Sequence, residues 1–239
     1  METVIDFHSH ILPGIDDGSP SVEVSIAMLQ SQARQGIRQV VATPHFYPAS
    51  DSPERFLKRR HEAELRLREE MDKYPGLPEL QIGAEVYYFS GISNSDMISG
   101  LTIGGKRCIL IEMPYAHWSK HMYQELEDVY TRQGLTPVVA HVDRYITPFH
   151  THKIPQTLER LPVIVQANAS FFLQSGTRRM ALRMLRQGQI HLLGSDCHDL
   201  KERSPNLGGA VELIRQKLGQ EAIDGIREWE ASVLGSTSV

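Results

Sequence analysis

The chain has 239 residues, 41% of them hydrophobic and 23% charged, ordinary values for one globular domain large enough to bury a substantial core. A formal net charge of -4 argues against a general nucleic-acid binder, and two cysteines are too few for a disulfide framework or a Cys-rich zinc site, though compatible with a reducing cytosol. With no basic segment leading into a long apolar stretch at the start, and no apolar run near the ~18 residues of a membrane span, the expectation is a soluble, unexported, cytoplasmic protein without membrane insertion.

Short apolar runs alternate with helical stretches, and they are near-continuous in Val, Ile and Leu, as strands of a parallel sheet buried on both faces are. The first, Val4 to His8, leads into His10 and then Asp16-Asp17. Ser19-Pro20 reads as an N-cap with proline at the first helical position, opening a crossover helix that Gly36 ends. The second run, Gln39 to Thr43, is followed by His45. Ser52-Pro53 then opens a charged helix over Glu54 to Met71, stopped by Tyr74-Pro75-Gly76, with a solvated outer face and pairs such as Glu62 with Arg66.

Further runs, Leu80 to Val86, Cys108 to Met113, Pro137 to His141, Val163 to Gln166 and His191 to Gly194, bring the strands to seven. Helices fit Ser119 to Gln133, Thr177 to Gln187 and Asn206 to Lys217, and Leu234 to Val239 reads as a frayed tail. No repeat or linker divides the chain, so residues 1–239 are expected to form a single α/β domain, a barrel or a wound sheet.

The side chains able to bind metal fall at the C-terminal ends of these strands: His8, His10, Asp17, His45, Glu85, Glu112, His141, Asp196 and His198. Barrel enzymes build their sites on that face. His8 with His10 and Asp196 with His198 have i,i+2 spacing, so each pair projects from one side of an extended segment, while Ser9 and Cys197 face the other way. Taken singly, His-x-His is a weak signal and a lone His45 or His141 is more often structural. Glu112 is stronger, because a carboxylate inside Ile109-Leu110-Ile111-Glu112-Met113 needs a cation or hydrogen bonds to offset desolvation. Imidazole plus carboxylate without thiolate suits manganese, iron or zinc.

The motifs His8-Ser9-His10-Ile11-Leu12-Pro13-Gly14-Ile15-Asp16-Asp17-Gly18, Thr43-Pro44-His45, Gly83-Ala84-Glu85-Val86-Tyr87-Tyr88, Ala140-His141-Val142-Asp143-Arg144-Tyr145 and Ser195-Asp196-Cys197-His198 resemble the polymerase-and-histidinol-phosphatase (PHP) superfamily. Within it, they are most similar to the bacterial manganese-dependent protein-tyrosine phosphatases of capsule and exopolysaccharide loci. The resemblance implies a distorted seven-stranded (β/α) barrel holding three divalent ions, manganese favoured, with iron or zinc as the alternatives. One ion is expected on His8, His10, Glu85 and Asp196, a second on Glu85, Glu112 and His141, and a third on Asp17, His45 and His198. Arg144 and Arg203 match the substrate-facing arginines, whose bland reading is a surface salt bridge.

The reaction so implied is attack on phosphotyrosine by metal-bound hydroxide, with no phosphoenzyme. The implied partner is a phosphotyrosine protein, the tyrosine-rich tail of a bacterial tyrosine kinase that controls polysaccharide export. The chain departs from the pattern at Asp143, where glutamate is expected, at Cys197, where methionine is frequent, and at Phe46-Tyr47-Pro48, where some relatives are basic. There, Phe46 or Tyr47 either forms an aromatic wall or simply packs. Three rivals stand beside this reading: a small-molecule phosphatase such as histidinol phosphatase, a non-catalytic metal-binding module, and a cysteine-dependent phosphatase, because Cys197 and Arg203 have Cys-x5-Arg spacing.

Overall fold

The computed structural model describes residues 4–146 and 153–235. Every strand pairing is parallel, in two sheets. The first sheet has the order β1 (Asp6–Ser9), β2 (Gln39–Ala42) and β4 (Glu79–Ile82); the second runs β3 (His45–Phe46), β5 (Glu85–Tyr87), β6 (Cys108–Glu112), β7 (Thr136–Val139), β8 (Ile164–Asn168) and β9 (Leu192–Gly194).

Alternation along the strands shows how the second sheet curls. On β6, Cys108 and Leu110 join an inner cluster with Phe7, Val41, Val138, Ala140 and Leu192, whereas Ile109 and Ile111 face an outer cluster shared with the helices. Both faces are therefore apolar, which is why these strands read as continuous Val, Ile and Leu.

Among the described residues there are nine strand segments where seven runs are expected. The run Leu80 to Val86 breaks at Gly83-Ala84, and a short segment follows the second run after Thr43-Pro44. Pro44 has no N–H to extend a ladder. A Cβ at Gly83 would lie 3.1 Å from Ile103 Cγ1, a tight contact that a larger residue could make only if Ile103 shifted. Backbone bonds carry across both breaks: Gly83 N–H to Ala42 O (2.8 Å), Glu85 N–H to Pro44 O (3.0 Å) and Thr43 N–H to Ser9 O (2.9 Å). On its other side, β1 meets the segment after β9 through a Ser9–Cys197 bridge, with His10 N–H to Cys197 O at 2.9 Å and Asp196 N–H to His8 O at 2.8 Å.

Among the helices, α1 (Val22–Arg34) is capped by Ser21 rather than by Ser19. The Ser19 N–H is held by His10 O at 2.9 Å and its hydroxyl by Ser21 O, so that residue belongs to the preceding loop. Gly36 ends the helix at φ 84°, as expected. In α2 (Pro53–Met71), Ser52 caps and Pro53 opens the helix; Arg66 reaches Pro13 O instead of Glu62, and the i,i+4 pair formed is Glu64 with Arg68. Helix α3 (Lys120–Gln133), the short α4 (Asp143–Ile146), α5 (Lys153–Leu158) and α6 (Ala169–Leu173), then α7 (Arg178–Arg186) and α8 (Leu207–Leu218) follow.

The last helix, α9 (Gln220–Leu234), was not anticipated. It places Val233 in the inner cluster beside Cys108. Leu234 is its final residue, and positions 236–239 of the expected frayed tail lie outside the described residues. Among the described residues, no helix is long and apolar enough to cross a membrane.

Candidate metal centre

The strand breaks deliver two of the donors. His45 opens β3 and Glu85 opens β5, and the two are direct partners in the parallel register. From β1, His8 and His10 project to the same side with Nε2 atoms 3.1 Å apart, while Ser9 between them donates to Val41 O. Glu85 sits at the centre: Oε2 lies 3.2 Å from His8 Nε2, 3.3 Å from His10 Nε2 and 3.0 Å from His45 Nδ1, and Oε1 lies 2.7 Å from His141 Nε2. Glu112, at the end of β6, is 3.7 Å from both His45 Nδ1 and His141 Nε2. Asp196 Oδ1 is 3.5 Å from His10 Nε2, and Asp17 Oδ1 is 3.5 Å from the Nε2 atoms of both His45 and His198.

Each of the nine sequence-predicted donors falls in at least one of four groups: His10, Asp17, His45 and His198; His8, Glu85 and His141; His8, His10 and Asp196; and His45, Glu85 and Glu112. Within a group the donor atoms lie within 4.8 Å of one another. His10 thus also stands beside the Asp17, His45 and His198 set, and His45 beside Glu85 and Glu112.

Two donors sit on strained backbone. His141 (φ 29°) and Asp196 (φ 53°) are the non-glycine residues with positive φ among the described residues. They follow β7 and β9 by two residues and turn into the cluster, at a cost of roughly 1–3 kcal/mol each that the surrounding structure must offset.

Partners missed in the sequence hold these donors. Gln166 Oε1 accepts the His141 backbone N–H at 2.6 Å and lies 3.3 Å from His8 Nδ1; Asn168 donates to Asp196 Oδ2 at 2.8 Å. Both stand on β8 at i,i+2 spacing inside an apolar run, which is the signal that could have found them. Asp143 accepts the Asn168 backbone N–H at 3.0 Å, one step removed from the donors, and burial pushes its carboxyl up to about 6. Arg144 and Arg203 both bond to Asp196, Arg144 Nη2 to Oδ2 and Arg203 Nη2 to Oδ1 at 2.7 Å. Their side chains are 34% and 36% exposed, so they lie at the mouth of the cluster.

The charges are tightly set. Burial opposes ionisation of Glu85, yet His8, His10, His141 and His45 around it hold its carboxyl well below the ordinary value. Glu112 is pushed up to about 7, by burial first and then by Glu85. Burial, and then His10, push His198 down to about 4. Cations in the cluster would override these directions, favouring ionised carboxylates and neutral imidazoles throughout.

The donor chemistry fits metal ions. Five imidazoles and four carboxylates crowd together with nitrogen facing nitrogen, and Glu85 Oε2, Glu112 Oε2, His45 Nδ1, His141 Nδ1 and His198 Nε2 are buried without a hydrogen-bond partner. Orphaned polar atoms concentrated in one place are costly unless something else satisfies them.

Two open points of the sequence divide cleanly. Phe46 is fully buried against Phe56, while Tyr47 is exposed and stacks on His45 with ring centroids 5.1 Å apart, at the rim. Cys197 is fully buried in the outer cluster, and burial raises its thiol far above its ordinary value, against any thiolate role for the Cys-x5-Arg spacing.

The model of the family described as capsular polysaccharide synthesis, CpsB/CapC, matches residues 4–233. Tyrosine-protein phosphatase CpsB of Streptococcus agalactiae serotype III is 29% identical over 240 residues, covering 91% of this chain and 92% of that protein. Tyrosine-protein phosphatase YwqE of Bacillus subtilis is 28% identical over 231 residues, with 91% and 86% covered. A crystal structure from work on YwqE of Bacillus subtilis and CpsB of Streptococcus pneumoniae, metal-dependent tyrosine phosphatases, matches with a TM-score of 0.84 at 25% identity, over 97% of this chain and 94% of that one.

Proposed function

The chain belongs to the CpsB/CapC family of capsular polysaccharide synthesis, and from that membership we propose that it is a metal-dependent tyrosine phosphatase acting on phosphotyrosine proteins. The observation that carries this reading is the convergence of the nine donors on Glu85, with their orphaned buried atoms, at one end of a curled parallel sheet. The fold is read as a single domain in which the two sheets form one distorted seven-run barrel. Three divalent ions, manganese before iron or zinc, are assigned to His8, His10, Glu85 and Asp196; to Glu85, Glu112 and His141; and to Asp17, His45 and His198.

Divalent ions held by these residues would supply Lewis acidity and activate water for attack at near-neutral pH. Arg144 and Arg203 meet the phosphoryl oxygens: a guanidinium has five N–H groups, and the bond to Asp196 draws on one nitrogen of each. Asp196 keeps both guanidinium groups beside the site before substrate arrives. Phenolate departs readily, so the reaction asks little of a general acid. The substrate is assigned as the tyrosine-rich tail of a bacterial tyrosine kinase that controls polysaccharide export, met in the cytoplasm.

The test is hydrolysis of a phosphotyrosine peptide and of histidinol phosphate by the same preparation, before and after chelation, with metal analysis. Chelation should abolish peptide hydrolysis, manganese should restore it, and the metal-free protein should melt at a lower temperature. Full peptide hydrolysis in a verified metal-free sample would sink the metal mechanism. Turnover of histidinol phosphate alone would replace the substrate class.

A further inference from the structure

We infer that Asp16, which belongs to none of the four donor groups, is the positioning residue that fixes His10 and His45 for metal, an inference that rests on reading the cluster as a metal centre. Its side chain is 5% exposed. Oδ2 lies 2.8 Å from His10 Nδ1 and accepts the His45 backbone N–H at 3.0 Å, and Oδ1 accepts the Gly18 backbone N–H at 3.0 Å. One carboxylate oxygen therefore ties the histidine that follows β1 to the first residue of β3.

An imidazole that donates its Nδ1–H to a carboxylate has its tautomer and ring plane fixed, presents the Nε2 lone pair outward and gains basicity as a ligand. His10 Nε2 is the atom that faces His8 Nε2 and Glu85 Oε2. The bond to the His45 amide fixes the backbone from which the second ring projects, and the two ring centroids lie 4.5 Å apart.

The loop around Asp16 is closed on the same histidine. Ser19 N–H bonds His10 O at 2.9 Å and Gly14 N–H bonds Ser19 O at 2.8 Å. A Cβ at Gly18 would collide with the His10 carbonyl and Cβ, so only glycine lets the chain turn back over that residue. The neighbouring donor, Asp17, is 66% exposed, and its Oδ1 lies 3.5 Å from the Nε2 atoms of both His45 and His198. Buried Asp16 is thus the anchor from which exposed Asp17 reaches the His10, His45 and His198 set. Loss of Asp16 should weaken that group more than the His8, Glu85 and His141 group, none of whose members bonds to Asp16.

The test compares wild type, Asp16→Asn and Asp16→Ala by competition of manganese against a chelator, which resolves the weakest-held ion, and by nitrogen-15 NMR of the zinc-loaded proteins. Asp16→Ala should lose ~10 to 100-fold in affinity for the weakest ion, the range for partners that orient a ligand histidine. Asp16→Asn, which keeps the shape and one acceptor, should lose less, ~10-fold. Wild type should show a protected His10 Nδ1–H signal that Asp16→Ala loses to exchange with water, a signature that a merely packing role would not move. Should Asp16→Ala not fold, Asp16→Asn decides on the same two readouts. Variants that bind manganese within about twofold of wild type and keep the His10 signal would overturn the role of Asp16 alone. A wild type that binds no manganese would instead overturn the metal reading on which it rests.

Discussion

Asp196 is held from three directions, by Arg144, Arg203 and Asn168, on a backbone with φ 53°. Burial opposes its ionisation, but His8, Arg144, His141 and His10 outweigh that and keep the carboxyl well below its ordinary value. If both arginines meet substrate as proposed, each guanidinium is already oriented by Asp196 and would lose less freedom on binding. Arg144→Ala and Arg203→Ala should therefore retain metal while kcat/KM falls ~10 to 1000-fold, if each makes a charged hydrogen bond in the transition state. Wild-type kinetics in both would reduce them to anchors for Asp196. Cys197 makes the opposite prediction. Its sulfur packs in the core and receives the Gln32 amide N–H at 3.6 Å, away from the donors on either side of it. Cys197→Ser and Cys197→Ala should keep at least about a tenth of wild-type turnover, ~1.4 kcal/mol in the barrier. Iodoacetamide should not inactivate the native enzyme specifically. A folded, metal-replete and dead Cys197→Ser enzyme would return the reaction to a thiolate.

At the scale of elements, two interruptions matter more than any complete strand. Pro44 and Gly83 halt the ladders of β2 and β4, and the chain resumes one step over as β3 and β5, with His45 and Glu85 as their first residues and in register. Glu85 is flanked by paired strands on both sides, and His45 by β5 on one side with its N–H on the Asp16 carboxylate, so both positions are set by the backbone. The end of the chain is tied in differently. Glu230 of α9 accepts the Ile5 N–H at 2.8 Å, and burial pushes its carboxyl up to about 8. The same group is free in the unfolded chain near its ordinary value of 4.5, so the folded protein binds an extra proton between these values. That contribution is fully present below pH 4.5 and is lost as pH rises through about 8, a matter of a few kcal/mol. Glu230→Gln keeps the neutral shape and should flatten the fall of melting temperature with pH across this window. An unchanged pH profile in the variant would mean that the carboxylate is accommodated charged.

For the molecule as a whole, the residues themselves announced parallel strands, crossover helices and a cluster of side chains able to hold metal, because burial on both faces and i,i+2 projection are local properties that leave a period in the sequence. The cap at Ser52 and the glycine end at Gly36 were legible for the same reason: each is decided by a residue's own φ, ψ and hydrogen bonds. Helix α9 was not read, and its packing only became clear where Val233 meets Cys108 and Glu230 meets Ile5. Nor did the sequence show that Gln166, Asn168 and Asp16 would serve His8, Asp196 and His10, since these partners are separated by 158, 28 and 6 positions. The kind of chemistry was fixed by side-chain type and spacing along the chain. Which donor stands beside which, and which uncharged or buried residue orients it, was decided only by tertiary structure, because a hydrogen bond a few ångströms long depends on where distant segments are brought together and leaves no period behind it.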